Sequence, residues 1–212
     1  MQTNLKFLLG FIKKQDLFKS GHFHWKNGFR AHGYIDINFL VSHKESLELI
    51  TKYFYDKIIN ISEKLQNTLM IAIGMECNIV GARLSALFPD YDYSYIPEPS
   101  QNDDFEEIET LLEKEQFNNI ILLKDIIFEA EHSKDLLRKL KISNKNIHLL
   151  SIFYCGERNR EFDLFREDEE FKNVRYYPIC NEIAIDKCPY GGKNGLQNCT
   201  IFNNKLQTIY EC

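Results

Sequence analysis

The sequence predicts an α/β fold built on a mostly parallel sheet with helices on both faces. Between residues 69 and 155, short apolar segments alternate with segments whose apolar residues follow helical spacing. Strands that are apolar throughout are typical of parallel sheets, because helices cover both of their faces. The 212 residues are enough for one such domain with a sizeable core. The composition, 44% hydrophobic and 27% charged, is that of a globular protein.

The part of the chain before this alternation contains two predicted helices and a glycine-bearing segment between them. Apolar residues at helical spacing predict a first helix over residues 3–15 and a longer helix over about 44–62. The segment 22–40 is predicted to form short extended pieces, with Gly28 and Gly33 at turns.

The alternation itself predicts the order of strands and helices in the core. The predicted strands lie at 69–74, 91–96, 119–127 and 146–155. The predicted helices lie at 78–88, 103–116 and 131–141. One further strand is expected within 176–185, and a glycine- and cysteine-bearing cap is expected after it. Apolar strands separated by single helices imply βαβ units.

Bulk properties argue against several classes of function. The net charge of -5 disfavours a nucleic-acid partner, which usually meets a basic surface. No apolar run approaches the roughly 20 residues that a bilayer-spanning helix needs. The first 18 residues have the pattern of an amphipathic helix without a small-residue cleavage site, so we expect a cytoplasmic protein with mostly reduced cysteines.

Two loops are candidates for a ligand site. In an open parallel sheet, ligands bind beyond the carboxyl ends of the strands, where helix N-termini present free backbone N–H groups. The loops expected at that edge are residues 73–78 and residues 125–133. We expect Asp125 to stand where its strand ends.

Four stretches resemble segments of one enzyme family. They are FKSGHFHWKNGFRAHGYID (18–36), IAIGMECNIVGARLSALF (71–88), NNIILLKDIIFEAEHS (118–133) and NEIAIDKCPYGGKNG (181–195). The first is similar to the Gly-His-Phe, Gly and Tyr pattern of orotate-type enzymes, and the second is similar to a pyrophosphate loop. The third stands where the family has its signature for 5-phosphoribosyl-1-pyrophosphate, and the fourth resembles a late strand followed by a Cys-Pro-x-Cys turn. Together with the element order they resemble the type I phosphoribosyltransferases, and the orotate and adenine branches in particular.

The resemblance implies a single domain over residues 1–212 with the type I phosphoribosyltransferase fold. It implies a hood-like N-terminal region over 1–40, an α/β core over 44–155, and a C-terminal strand with a Cys-bearing cap over 156–212. It also implies reversible transfer of 5-phosphoribose from its pyrophosphate to a nucleobase, with Mg²⁺ as cofactor. By analogy alone, a homodimer or a partner protein is expected.

At the family signature, this chain departs from the pattern in charge. The family has two adjacent acids, then two apolar residues and Thr-Thr-Gly; here Lys124 and Asp125 stand at the acids. The Thr-Thr-Gly positions and the two that follow are Phe128, Glu129, Ala130, Glu131 and His132. A like charge about 4 Å from a phosphate costs on the order of 1 kcal/mol in water and about 4 kcal/mol in a partly buried site. The substitutions therefore disfavour a pyrophosphorylated sugar.

Our interpretation is a phosphoribosyltransferase-like protein that binds a nucleotide or sugar-phosphate-type ligand, with standard transferase activity weak or lost. The first alternative is an active phosphoribosyltransferase that joins an orotate-like nucleobase to phosphoribosyl pyrophosphate. The second alternative is an inactive regulatory or interaction subunit on the same fold, since a fold alone does not determine a function.

Two carboxylates are the candidate catalytic residues. Asp125 suits a ribose hydroxyl or a Mg²⁺ ion, and the alternative is a polar residue that binds nearby backbone amides. Glu76 suits a ribose or a metal-bound water, and it equally suits the dipole of a helix that begins nearby.

The other candidate ligand-binding residues lie in the two loops and in the N-terminal region. In the loops they are Gly74, Met75, Cys77, Asn78, Lys124 and Ser133, together with the residues at positions 128–132. In the N-terminal region they are Arg30 and Tyr34, for which surface exposure or packing is the alternative. For Ser133 the alternative is an N-cap of a helix over 134–141.

The cysteines near the C-terminus raise a separate hypothesis. Cys180, Cys188 and Cys199 lie close in sequence, and a structural zinc ion would need a fourth ligand such as Cys155 or Cys212. The usual pair of close cysteines is broken here, because Gly191 stands where the second would be. Buried free thiols are the alternative.

Overall fold

A computed structural model describes most of the chain. The described residues are 2–24, 30–62, 67–98, 100–114, 117–128, 130–142, 145–156, 164–183, 185, 188–189, 199 and 208–210.

Six helices and eight strands are assigned within those residues. The helices are α1 (Gln2–Lys14), α2 (Ile37–Ser42), α3 (Lys44–Ser62), α4 (Met75–Ser85), α5 (Asn102–Lys114) and α6 (Ala130–Lys139). The strands are β1 (Phe18–His24), β2 (Arg30–Ile35), β3 (Thr68–Ile73), β4 (Asp92–Ile96), β5 (Asn119–Ile127), β6 (Asn146–Tyr154), β7 (Val174–Cys180) and β8 (Thr208–Tyr210). A single 3-10 turn covers Glu169–Phe171. Among the described helices, none combines the length and the hydropathy that a membrane span requires.

The chain divides into two compact units. Unit 1 comprises residues 1–40 and 184–212, and unit 2 comprises residues 41–183.

Unit 1 contains a three-stranded sheet in the order β2-β1-β8. Strands β1 and β2 form an antiparallel pair with an irregularity in register between Ser20 and Phe23. Strand β8, from the C-terminal segment, pairs with β1 in parallel. The extended pieces expected over 22–40 are therefore an antiparallel pair of strands, called the β1–β2 hairpin, which starts at Phe18. Gly33 lies inside β2 and not at a turn, and Gly28 lies outside the described residues. The short helix α2 was not predicted.

Unit 2 contains a five-stranded parallel sheet in the order β4-β3-β5-β6-β7. Every residue of β3 is buried, as are most residues of β5 and β6. A buried cluster of Leu, Ile and aromatic residues from the strands, α5 and α6 forms the core. This sheet confirms the predicted α/β class and the mostly parallel arrangement. Strands that are apolar throughout suit such a sheet, because helices cover both of its faces.

Both loops expected at the ligand edge are shorter than predicted. Strand β3 ends at Ile73 and α4 begins at Met75, so Gly74 alone connects them. Strand β5 continues to Ile127, since Ile126 and Ile127 still pair with β6, and α6 already begins at Ala130. Asp125 therefore lies two residues inside its strand and not at its end, and the helix expected from residue 78 starts three residues earlier.

Candidate functional site

The candidate site lies at the carboxyl edge of the parallel sheet in unit 2. Strand β3 is the neighbour of both β4 and β5, so the segments that follow these strands meet at one edge. Gly74 follows β3, Glu98 follows β4, and Lys124 and Asp125 lie near the end of β5.

Gly74 makes the turn from β3 into α4. Its φ of +82° is a conformation that side chains disfavour, and its N–H donates a 2.9 Å hydrogen bond to the carbonyl of Ile96. A Cβ atom on Gly74 would lie 3.2 Å from Oε2 of Glu98 and 3.8 Å from Oε2 of Glu76. The turn is therefore flanked by two carboxylates.

A buried lysine neutralises part of this negative charge. The side chain of Lys124 is only 10% exposed, and its ammonium group donates a hydrogen bond to Oε2 of Glu98. The same nitrogen lies 3.5 Å from Oδ1 of Asp125. His132, in the first turn of α6, lies with Nε2 3.0 Å from Oε1 of Glu98. The carboxylate of Glu98 thus joins β5 to α6.

The pKa values of these groups follow from burial and from their partners. Burial would raise the pKa of Glu98, but the hydrogen bond from His132 and the charge of Lys124 outweigh it and lower the pKa to about 2. Burial would lower the pKa of Lys124, but the charges of Asp125 and Glu98 raise it above its ordinary value. The pair is therefore ionised at neutral pH.

Glu76 lies in the first turn of α4 beside this ion pair. Its pKa is raised, mainly by burial and in part by the negative charges of Asp125 and Glu98. Three carboxylates share one ammonium group here, so the site carries excess negative charge at neutral pH. Such an environment favours cations and hydroxyl donors over free phosphates.

The predicted residues of the first loop lie on α4. Met75 is exposed, and Cys77 is fully buried. Burial raises the pKa of the Cys77 thiol well above its ordinary value, so Cys77 stays a neutral thiol. Asn78 accepts a 2.6 Å hydrogen bond on its side chain from the hydroxyl of Tyr93. The side-chain oxygen of Asn78 therefore already accepts a hydrogen bond within the protein and is less available to a ligand.

The second loop reduces to a tight connection. Phe128 lies at a bend, Glu129 falls outside the described residues, and Ala130 is the first residue of α6. A Cβ atom on Gly156 would lie 2.2 Å from the carbonyl oxygen of Phe128, so this glycine permits the backbone to pass closely. Helix α6 begins at Ala130, so the last four residues expected in this loop are helical.

Two further predicted residues lie in the first turn of α6. Glu131 is exposed, with Oε1 3.4 Å from Nζ of Lys134. Ser133 is buried and is the fourth residue of the helix, so the alternative that it caps a helix from 134 is wrong. The N-cap position precedes a helix, whereas Ser133 lies inside one.

The remaining predicted residues are divided between the units. Arg30 and Tyr34 lie on β2 in unit 1, and the Tyr34 ring stacks on Phe23 with 5.6 Å between centroids. Cys188 and Cys199 are buried in unit 1, whereas Cys180 is buried at the end of β7 in unit 2.

Glu98 is the residue of this site that sequence reasoning missed. It lies in an acidic stretch after β4, where its charge alone does not distinguish it from its neighbours. Its distance along the chain from β4 is a usable signal: it follows the strand by two residues and so reaches the same sheet edge as Gly74.

Comparisons with known proteins identify the fold. No protein-family model matches the chain, and no curated protein matches it. Among solved structures, a Mycobacterium tuberculosis H37Rv orotate phosphoribosyltransferase in complex with Fe(III) dicitrate aligns with a TM-score of 0.55 at 9% identity over 84% of this chain and 97% of that one. An adenine phosphoribosyltransferase from Leishmania donovani gives 0.54 at 9% identity over 82% and 80%.

A third structure is similar as well. An orotate phosphoribosyltransferase from Aeropyrum pernix aligns with a TM-score of 0.53 at 14% identity over 82% of this chain and 93% of that one. The resemblance stated from the sequence is thus confirmed at the level of the fold. The parallel sheet, its helices and these structural matches show that the chain has the type I phosphoribosyltransferase fold.

Proposed function

We propose that the protein binds a nucleotide or sugar-phosphate-type ligand at the carboxyl edge of its parallel sheet, with standard transferase activity weak or lost. The observation that supports this proposal is the position of the Glu98 carboxylate. It binds Lys124 and His132 and lies beside the Gly74 turn. An internal carboxylate thus takes the contacts that would attract a phosphate.

A free diphosphate at this turn meets an unfavourable charge. Placed about 4 Å from the Glu98 carboxylate, a phosphate oxygen is opposed by on the order of 4 kcal/mol in a partly buried site. That is roughly a 1000-fold loss of affinity. Lys124 offsets part of this repulsion, but its one ammonium group faces both Glu98 and Asp125, and Glu76 lies close by, so the site stays negative.

The sugar end of such a ligand meets a more favourable surface. Asp125 is 24% exposed, and carboxylates accept hydrogen bonds from hydroxyl groups. Glu76 is close enough to Asp125 for the two charges to interact, and it supplies a second acceptor. We therefore expect ribose hydroxyls to contribute more to binding than phosphates do, and nucleosides or monophosphates to bind better than phosphoribosyl pyrophosphate.

Magnesium fits the donor set of this site. Mg²⁺ takes oxygen ligands in proteins, commonly one or two carboxylates together with water and ligand phosphates. Asp125 and Glu76 would hold the ion. When bound, it supplies positive charge that offsets a ligand phosphate. The two carboxylates position the ligand and accept hydrogen bonds from its hydroxyls.

Calorimetry on matched variants tests the proposal. Adenosine, AMP and phosphoribosyl pyrophosphate are titrated with Mg²⁺ into the wild type, Glu98→Gln and Glu107→Gln. Glu107 is exposed on α5, so its variant changes the net charge equally but outside the site. We expect the wild type to bind phosphoribosyl pyrophosphate most weakly, and Glu98→Gln to bind it at least roughly tenfold more tightly. Glu107→Gln should match the wild type.

The relative affinities of the wild type for the three ligands are enough to test the proposal. If the wild type binds phosphoribosyl pyrophosphate more tightly than adenosine, the proposal is wrong, whatever the stability of the Glu98→Gln variant. Asp125→Asn provides a second check, because it removes the negative charge and replaces one acceptor oxygen by an amide donor, and we expect it to weaken adenosine binding.

An active transferase is the second candidate, and the Gly74 turn favours it. A glycine with φ of +82° still ends β3 and opens α4, as in a pyrophosphate loop, and Asp125 keeps the second acid of the signature. In this reaction a bond forms between the base nitrogen and C1 of the ribose as the C1–O bond to pyrophosphate breaks. Pyrophosphate release with orotate or adenine that Asp125→Asn abolishes would support this candidate over the first.

A further inference from the structure

Two histidines and two cysteines meet in unit 1, apart from the candidate ligand site of unit 2. One ligand atom from each of His22, His32, Cys188 and Cys199 lies within 4.8 Å of the other three. Sγ of Cys199 is 3.5 Å from Nδ1 of His22 and 3.4 Å from Nε2 of His32. Among the described residues, no other group of three or more His, Cys, Asp and Glu ligand atoms is this close.

The two sulfur–nitrogen distances at Cys199 match what a tetrahedral zinc ion requires. Zinc binds thiolate sulfur at about 2.3 Å and imidazole nitrogen at about 2.0–2.1 Å. A tetrahedral angle between such bonds separates sulfur from nitrogen by about 3.6 Å. The separations of 3.5 and 3.4 Å between Sγ of Cys199 and the two histidine nitrogens are within about 0.2 Å of this value. Two imidazoles and two thiolates form a donor set that suits zinc, whereas magnesium and calcium take oxygen.

The four side chains belong to different segments of unit 1. His22 lies on β1 and His32 on β2, the two strands of the hairpin, with their ring centroids 5.6 Å apart. Cys188 contacts the same hairpin: its backbone N–H donates a 2.9 Å hydrogen bond to the carbonyl of Arg30. Cys199 approaches from the C-terminal segment. The cluster therefore joins parts of unit 1 that are far apart in sequence.

The burial of the cluster indicates a closed site. His22 is 0% exposed, Cys199 is 1% exposed and Cys188 is 3% exposed, while His32 is half-buried. Four protein ligands with no open position are typical of structural zinc, whereas catalytic zinc keeps one position for water. An ion here would stabilise the unit and would not carry out chemistry.

We propose that His22, His32, Cys188 and Cys199 bind a structural zinc ion that ties the C-terminal segment to the β1–β2 hairpin. Binding converts the two thiols to thiolates and releases their protons to solvent, and both histidines bind as neutral imidazoles. The ligand set differs from the cysteine-only hypothesis raised from the sequence: Cys188 and Cys199 belong to it, two histidines complete it, and Cys180 lies in unit 2.

Metal analysis and X-ray absorption test the proposal on the full-length protein. The chain is produced with added zinc, purified in reductant and passed over a desalting column. We expect a single zinc ion per chain. The absorption spectrum should show two sulfur neighbours at about 2.3 Å and two nitrogen neighbours at about 2.0–2.1 Å.

Variants separate this ligand set from other cysteines. Cys199→Ser and His32→Ala should lose the zinc, and His32→Cys should retain it with three sulfur neighbours. Cys180→Ser and Cys155→Ser are matched controls, because both cysteines are buried in unit 2, and they should retain it. If a variant fails to fold, the wild-type spectrum decides.

Three results would overturn the proposal. One is wild-type protein that carries no zinc and gains none in the presence of excess zinc. A second is a wild-type spectrum with a sulfur count other than two. The third is a Cys188–Cys199 disulfide in protein purified without reductant, located by peptide mapping after alkylation under non-reducing conditions. None of them depends on whether unit 2 binds a nucleotide.

Discussion

At the scale of single residues, Lys124 changes the chemistry of the candidate site. It stands where the family signature has an acid, and its buried ammonium group binds Glu98. A buried charge is costly unless it is paired, so Lys124 requires a carboxylate at this place. The ammonium group of Lys124 is therefore held in an internal ion pair with Glu98.

A second buried residue, His148, makes stability depend on pH. It lies on β6 with its ring stacked on Tyr177, 6.0 Å between centroids, and its Nδ1 has no hydrogen-bond partner within the described part of the chain. Burial and the charge of Arg175 lower its pKa to about 4. The folded protein therefore holds His148 neutral where an unfolded chain would protonate it.

We expect His148→Phe to remove part of the loss of stability in acid. With a folded pKa near 4 and an unfolded pKa near 6.5, the contribution of His148 is complete above about pH 6.5 and is lost as the pH falls toward 4. The loss amounts to at most about 3 kcal/mol. Urea denaturation between pH 7 and pH 4 measures it.

The slope of unfolding free energy against pH between pH 6.5 and pH 4 is the quantity that tests this assignment. Glu98 acts in a lower window, because its contribution is present above about pH 4.5 and is lost toward pH 2. An unchanged slope between pH 6.5 and 4 in His148→Phe would contradict the assignment.

At the scale of elements, a glycine sets how closely α4 packs on the sheet. A Cβ atom on Gly81 would lie 2.7 Å from the Tyr93 ring and 3.1 Å from Cβ of Ala72. The Tyr93 hydroxyl donates to Asn78 one turn earlier on the same helix, so the ring cannot move away freely. Burial raises the pKa of Tyr93 to about 12, so this donor persists across the physiological range.

We expect Gly81→Ala to destabilise the protein by about 1–3 kcal/mol through overpacking. This cost should exceed the gain of about 1 kcal/mol that alanine brings to a helix. Gly10→Ala in α1 is the matched control, because nothing lies within 4 Å of the added atom, and it should be neutral or stabilising. Urea denaturation compares the two, and equal stabilisation by both would refute the close packing.

Among the elements, the bounds of the buried strands were predicted most accurately from sequence patterns. Strands β5 and β6 were predicted to within one residue, because their buried apolar runs admit few alternatives. The two loops at the ligand edge, after β3 and after β5, were predicted too long. Met75 and Glu76 are good helix formers, and Ile126 and Ile127 are good strand formers, so each element extends into the expected loop.

At the scale of the whole molecule, the zinc site should act on one unit and not on the other. Its four ligands all belong to unit 1, while β3, β5 and β6 belong to unit 2. Compact units often open independently of each other, and hydrogen exchange detects such opening.

We expect removal of zinc by a chelator to speed amide exchange in β1 and β2, while exchange in β3, β5 and β6 changes little. Mass spectrometry of peptides from the two units measures this, and chelator-treated Cys199→Ser should show no further change. A uniform rise in exchange across both units would contradict the local role of the metal.

The sequence by itself determined the α/β class and the mostly parallel sheet. These features follow from residue type and local spacing, which are properties of neighbours along the chain. Only the tertiary structure decided that Glu98 binds Lys124 and that His22 meets Cys199. Such pairs are 26 and 177 residues apart, and the separation along the chain carries no information about which strands will lie side by side.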